Sequence, residues 1–126
     1  MKKIETSRAP KPAGHYAQAV VHNGLVFVSG QLPKHPGDGS LEKGPIEDQA
    51  RLVLSNLAAI LEEANSSLGH LLKVNLYIPD ISLWERVNGI YGEFMGTHRP
   101  ARAVIPTGRL HHGALIEVEA VAAVAE

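Results

Sequence analysis

The order of its patterned segments is the feature that most restricts how this chain can fold. Five strand-like and two amphipathic helical segments follow one another: strands at 16–21 and 25–29, a helix at 45–65, a strand at 70–78, a helix from 82 to about 96, and strands at 101–109 and 114–123. This order, ββαβαββ, predicts an α+β fold with one mixed sheet and both helices on one face. Since the other sheet face then needs cover, the sequence also predicts a homo-oligomer.

Local signals refine these segments. Asn23-Gly24 is the dipeptide most typical of a tight hairpin. Ser82 and Glu85 form an S-x-x-E capping box, which predicts the start of the second helix. Pro106 has no N–H to donate, so we expect an edge or a bend in that strand. The strand at 70–78 alternates loosely, which places four apolar residues on one face: Leu72, Val74, Leu76 and Ile78.

Composition restricts the class of protein. A chain of 126 residues with 44% hydrophobic and 20% charged residues predicts a single domain over 1–126. A formal charge of -1 lacks the basic excess of nucleic-acid binders, so nucleic acid is not expected as a partner. There is no cysteine, which excludes disulfides and thiolate chemistry. Neither a signal peptide nor an apolar run of about 20 residues occurs, so we expect a cytoplasmic protein without a membrane partner.

A single arginine, Arg102, interrupts the apolar run from Pro100 to Pro106. Burying a guanidinium is costly unless an anion or several acceptors meet it. A carboxylate suits the planar fork of arginine. That carboxylate could belong to a glutamate of the last strand, as a structural pair, or to a ligand. The residues alone leave both alternatives open.

Two glutamates share one face of the last strand. Glu117 and Glu119 are two positions apart, about 6.6 Å along a strand, a spacing that suits acid/base work but also an ordinary solvated face. The turn at 110–113 does not set the register of the last two strands, so either glutamate could approach Arg102. Asn88 shares a helix side with Trp84 and Tyr91, where an amide is either a satisfied core group or part of a pocket.

Cofactor motifs are absent. The chain has seven histidines, but His111-His112 lacks the spacing of a metal site and fits a turn better. Neither G-x-G-x-x-G, nor the Walker pattern, nor a G-x-S-x-G elbow occurs. The sequence therefore predicts no metal and no nucleotide cofactor.

Several segments together resemble one family. They are Ala9-Pro10-Lys11-Pro12-Ala13-Gly14-His15-Tyr16-Ala17-Gln18-Ala19-Val20, Val28-Ser29-Gly30-Gln31-Leu32-Pro33, Val87-Asn88-Gly89-Ile90-Tyr91, Pro100-Ala101-Arg102 and Ile116-Glu117-Val118-Glu119-Ala120-Val121-Ala122. In this order they are similar to the RidA (YjgF) family of reactive-intermediate deaminases. The resemblance implies a chorismate-mutase-like fold, a homotrimer with a central barrel, and ligand sites in the clefts between subunits. It also implies hydrolysis of 2-imino acids, such as 2-iminobutanoate and 2-iminopropanoate, to 2-keto acids and ammonia without a cofactor.

The same resemblance assigns residues to the site. Arg102 would hold the substrate carboxylate, and Glu117 would position the attacking water. Tyr16, Ser29 and Asn88 would line the site, with Gly30 and Gln31 beside them. One position departs from the family pattern: Val104 stands where the best-known members have a cysteine, which puts the substrate preference in question. The alternatives are a module that binds 2-keto acids or protects proteins without turnover, and a deaminase of another enamine such as aminoacrylate or aminomuconate.

Overall fold

The computed structural model describes all residues 1–126 and contains six strands and two α-helices. The elements are β1 (Lys2–Ile4), β2 (Ala19–His22), β3 (Leu25–Gln31), α1 (Ile46–Glu63), β4 (Leu71–Ile78), α2 (Trp84–Met95), β5 (Ala101–Pro106) and β6 (Glu117–Ala123). They form one sheet in the order β1-β2-β3-β6-β4-β5, in which only β4 and β5 run parallel. Both helices pack on one face, so the predicted mixed sheet with two helices on one side is confirmed.

The hairpin and the helix ends follow from local chemistry. Asn23 and Gly24 have φ values of 51° and 76°, as the tight turn between β2 and β3 requires. Helix α1 carries Glu47 and Asp48 in its first turn, where the helix dipole favours carboxylates. Helix α2 ends at Gly96, whose φ of 60° is left-handed and readily adopted by glycine. These signals lie where the sequence placed them.

The core lies between the helices and the sheet. Its 25 buried residues come from every strand except β5 and from both helices. Val118, Ala120 and Ala122 of β6 point into this core, so the alternate residues of β6 point to the other side. We call that side the open face, because no element of the chain covers it. Phe27 stands on the open face with 45% of its surface exposed.

The strands differ from the prediction in three ways. Strand β1 was not predicted, since three residues beside a proline-rich stretch carry no alternation; it pairs with β2 at the sheet edge. The last two strands do not form a hairpin: β6 lies between β3 and β4, while β5 is an edge strand beside β4. In β4, a register shift between Leu71 and Lys73 buries Leu71 and leaves Leu72 48% exposed.

The predicted capping box is also absent. Asp80, not Ser82, makes the cap: its carboxylate accepts a hydrogen bond of 2.8 Å from the Ser82 N–H and begins a short 3-10 turn at Ile81–Leu83. Helix α2 continues from that turn without a side-chain cap of its own. Pro106 ends the edge strand β5, as its missing donor predicted. Neither helix has the length and apolarity needed to span a membrane.

Candidate active site

Arg102 lies on the helix side of the sheet. It stands opposite buried Val74 in the parallel pair of β4 and β5, and its Nη1 donates a hydrogen bond of 2.8 Å to Oδ1 of Asn88 on α2. No carboxylate oxygen lies within ion-pair distance of its guanidinium. The structural alternative, a pair with a glutamate of the last strand, is therefore wrong, because β6 is not the neighbour of β5.

Two aromatic rings hold the guanidinium in place. Its central carbon lies 4.8 Å from the ring centroid of Tyr91 and 5.6 Å from that of Trp84. Contact with ring faces stabilises the cation without neutralising it. The Tyr91 hydroxyl is buried without a hydrogen-bond partner, and burial raises the pKa of that phenol. Arg102 is thus oriented, and it keeps donors free on the side of a cavity of about 490 Å³ that Arg99 and His98 also line.

Glu117 lies on the open face, at the start of β6. Its side chain is half-buried against Gly30, where a Cβ would collide with Glu117 Oε2. Removal from water is the main cause that raises the pKa of Glu117, and the negative charge of Glu119 adds to it, while His111 acts in the opposite direction. A carboxyl with a raised pKa accepts and holds a proton more readily than an ordinary glutamate does. Because Gly30 has no side chain, there is space beside it for the Glu117 carboxyl.

Glu119, two positions further along β6, accepts two hydrogen bonds. Glu119 Oε1 receives hydrogen bonds from Asn75 Nδ2 at 3.1 Å and from the Tyr77 hydroxyl at 2.5 Å. The bond to Glu119 is also the main cause that raises the pKa of Tyr77. Both partners thus hold the side chain of Glu119 in place, whereas the carboxyl of Glu117 makes no hydrogen bond within the chain.

The remaining predicted site residues surround Glu117. The Ser29 hydroxyl donates to the Ala17 carbonyl at 2.6 Å, and the Tyr16 hydroxyl accepts from the Ala13 N–H at 3.3 Å. These bonds bring the extended lead-in against the end of β3. A cavity of about 420 Å³ lies here, and its walls include Tyr16, Ser29, Gly30, Gln31 and Glu117. The side chain of Gln31 is buried and donates to the Ser29 carbonyl at 3.2 Å.

The predicted site residues thus form two groups on opposite sides of the sheet. Arg102 faces Asn88 of α2, and half-buried Val104 lies on the same side of β5 as Arg102. Glu117 and its cavity belong to the open face. Since the sheet separates the two groups, one copy of the chain cannot bring Arg102 and Glu117 to the same small ligand.

Sequence reasoning missed some residues of both groups. Lys11, Lys34 and His111 line the Glu117 cavity. Loop residues have no periodicity that indicates the direction of their side chains. No sequence pattern therefore identified Lys34 or His111 as residues that line the cavity. The sequence placed Trp84 and Tyr91 on the same helix side as Asn88, and in the structure both rings also contact Arg102. Their spacing from Asn88 is the signal that could have linked them to the arginine, because positions i, i+4 and i+7 share a helix face.

The arrangement is that of a small α+β protein with an arginine that has no carboxylate partner on one side of the sheet and a half-buried glutamate in a cavity on the other. A family profile described as Endoribonuclease L-PSP matches residues 6–124. The chain therefore belongs to that family, the group that includes the YjgF, RidA and RutC proteins, and the predicted resemblance is confirmed.

Relatives cover nearly the whole chain. A RutC family protein of Pyrococcus horikoshii is 43% identical over 119 residues, which are 94% of each chain. A protein of Escherichia coli K12 named as a reactive intermediate deaminase, TdcF, is 38% identical over 97% of each chain. The crystal structure of E. coli TdcF with bound serine superposes with a TM-score of 0.93 at 36% identity, covering 99% of this chain and all of that one. Another relative, from yeast, is named only Protein HMF1 and is 40% identical over 91% of this chain.

Proposed function

We propose that this protein hydrolyses reactive 2-imino acids and their enamine tautomers, 2-iminobutanoate and 2-iminopropanoate among them, to 2-keto acids and ammonia. The observation that carries the proposal is the presence of two half-sites that face opposite ways. One holds an oriented arginine without a carboxylate partner, and the other holds Glu117 with its raised pKa. We propose that they meet in the clefts of a homotrimer, where one protomer supplies Arg102 and its neighbour supplies Glu117.

The proposed hydrolysis needs only a few functional groups from the protein. Arg102 would bind the carboxylate of the imino acid through its free donors, and Asn88 would keep the guanidinium aimed. Glu117 would accept a proton from water as the oxygen adds to the imine carbon, and would pass that proton to the nitrogen to give a carbinolamine. The hydroxyl proton then transfers to the nitrogen as the C–N bond breaks, so that the nitrogen leaves as ammonia and the carbon keeps the oxygen as the carbonyl of the 2-keto acid. Because the imine carbon is already electrophilic, positioning supplies most of the catalysis.

Relatives support this choice. The name of E. coli TdcF is that of a reactive intermediate deaminase, and its crystal structure contains serine, an amino acid whose carboxylate resembles that of an imino acid. The open face supports the assembly, since half-exposed Phe27 lies on it beside Val20 and Val121, its partners in the neighbouring strands. A cytoplasmic location would fit substrates that pyridoxal-phosphate enzymes release.

Mixed oligomers provide the sharpest test. Arg102→Ala and Glu117→Gln should each lose ammonia release from 2-iminobutanoate, generated in situ by a threonine dehydratase, while the oligomer persists. Co-expressed with different tags and purified as mixed trimers, the two inactive variants should regain activity. In a cyclic trimer that contains both variants, one of the three clefts joins an intact Arg102 to an intact Glu117, so about a third of the wild-type rate is expected.

Arg109→Ala is the matched control, because Arg109 lies in the loop after β5, makes no ion pair and lines neither cavity. Full activity of Arg102→Ala would overturn the assigned role. Mixed trimers that form but stay inactive would overturn the shared cleft. Binding of 2-ketobutyrate in calorimetry, with ammonia release at background for the wild type, would identify a binding module instead.

A further inference from the structure

The cavity around Glu117 carries more positive charge than the proposed reaction uses. Lys11, Lys34 and His111 line it together with the single carboxylate of Glu117. We propose, on the basis of the proposed function, that the preferred imino acid carries a second carboxylate at its distal end, as the imines of acidic amino acids do. Arg102 then binds the carboxylate next to the imine carbon, and Lys34 with its neighbours binds the distal one.

None of the three basic residues has an anionic partner in the chain. Lys11, Lys34 and His111 are absent from the five ion pairs of the structure. Neighbouring His35 contrasts with them, since its Nε2 lies 3.2 Å from Glu42 Oε1. The loop thus neutralises its histidine but leaves the adjacent lysine unpaired, on the side of the cavity.

The backbone at Lys34 is fixed by contacts with other parts of the chain. Its backbone N–H donates to the Leu32 carbonyl at 2.8 Å, and its carbonyl accepts from the buried amide of Asn56 on α1, also at 2.8 Å. It also forms an isolated bridge with Leu41 across the loop. Three attachments hold the backbone, and the residue is half-buried. The ammonium group therefore starts from a fixed point at the cavity wall, which reduces the entropy lost when it binds an anion.

The histidine turn places further positive charge beside Lys34. His111 and His112 stack with ring centroids 3.8 Å apart. The charge of His111 is the main cause that lowers the pKa of His112, with burial and the charge of Lys34 adding to it. Lys34 and His111 line the same cavity as Glu117, so Lys34 and the turn at His111–Gly113 form one basic wall of it.

Assembly of the proposed trimer increases the excess of positive charge in the cleft. When the two half-sites of neighbouring protomers meet, the Arg102 cavity brings Arg99 and His98 as well, without a carboxylate among its lining residues. The joint cleft then loses part of its water, and an unpaired ammonium in a drier site is unfavourable. A substrate with one carboxylate satisfies Arg102 alone. A dicarboxylate satisfies both ends of the cleft.

The test compares substrates of different charge. The imines of aspartate and glutamate, generated in situ by amino-acid oxidases, are compared with 2-iminobutanoate by ammonia release. We expect kcat/KM for one of the dicarboxylic imines to exceed that for 2-iminobutanoate by about tenfold, the effect of one good charge-assisted hydrogen bond. Lys34→Met should remove this preference, because it should lower kcat/KM for the dicarboxylic imine about tenfold more than kcat/KM for 2-iminobutanoate.

Lys43→Met is the matched control, since Lys43 is an exposed lysine of the same loop region that lines none of the cavities described. A preference for 2-iminobutanoate that Lys34→Met does not change would overturn the inference while leaving the proposed function intact.

Binding measurements separate the two proposals. If no imine is hydrolysed, calorimetry with 2-oxoglutarate and 2-oxobutanoate still tests the distal site. Tighter binding of 2-oxoglutarate that Lys34→Met abolishes supports it, and equal affinities overturn it. A single-stranded oligoribonucleotide is the third ligand: RNA binding that is lost in Lys34→Met, with no preference between the keto acids, would assign the basic wall to phosphates and overturn the inference.

Discussion

A methyl group at position 30 should impair catalysis while leaving the fold intact. A Cβ on Gly30 would collide with Glu117 Oε2, and the nearest other atoms belong to the same side chain. To restore van der Waals separation the carboxylate has to move by about 1 Å. A displacement of that size at a reacting group lowers the rate by about a hundredfold. The backbone itself accepts alanine, since the φ of Gly30 is not in the left-handed region.

Two measurements test Gly30→Ala: the rate of ammonia release and the melting temperature. Ammonia release from 2-iminobutanoate should fall by about a hundredfold in kcat/KM. The melting temperature should stay within about 3 °C, because the lost glycine entropy offsets the strain of moving a flexible side chain. Gly37→Ala is the control: a methyl group on Gly37 would have no atom within 4 Å, so this variant should keep full activity. Unchanged turnover in Gly30→Ala would refute the role of the contact with Glu117.

Two predictions concern pH. The pKa of Glu117 is raised in the fold, so this group favours the folded state at low pH and that contribution is lost as the pH rises through the raised value. Glu117→Gln should therefore be more stable than the wild type at pH 7, and the difference should vanish below about pH 4 in urea titrations; a variant less stable at pH 7 contradicts the reasoning. Glu119→Gln removes a charge that raises the pKa of Glu117, so the acidic limb of the pH profile of kcat/KM should move to lower pH. An unmoved limb would show that Glu119 does not act on the reacting group.

Much of the fold could be predicted because its signals are local. The turn at Asn23-Gly24, the dipole-matched start of α1 and the left-handed end of α2 at Gly96 each depend on a few adjacent residues. Alternation also placed Glu117 and Glu119 on one face of β6, and the structure confirms it.

Features that depend on distant residues could not be predicted. The position of β6 between β3 and β4 is set by pairing across the whole chain, and this pairing decides that Arg102 meets Asn88 instead of a glutamate. No sequence feature indicates the register shift that exposes Leu72, since Leu71 and Leu72 are both apolar and either could be the buried residue. For the same reason, the approach of Lys34 to Glu117 follows only from the folded loop.

The central place of β6 has a consequence for biosynthesis. Strand β6 is made after the five other strands, yet it joins β3 to β4. Until residues 117–123 have been synthesised, the facing edges of β3 and β4 lack their partner strand and the chain has no Glu117. Such edges are prone to wrong pairing, and pairing across long loops is slow. The step that completes the sheet therefore also brings Glu117 to Gly30, so a chain with an unfinished sheet lacks the cavity in which we propose the reaction.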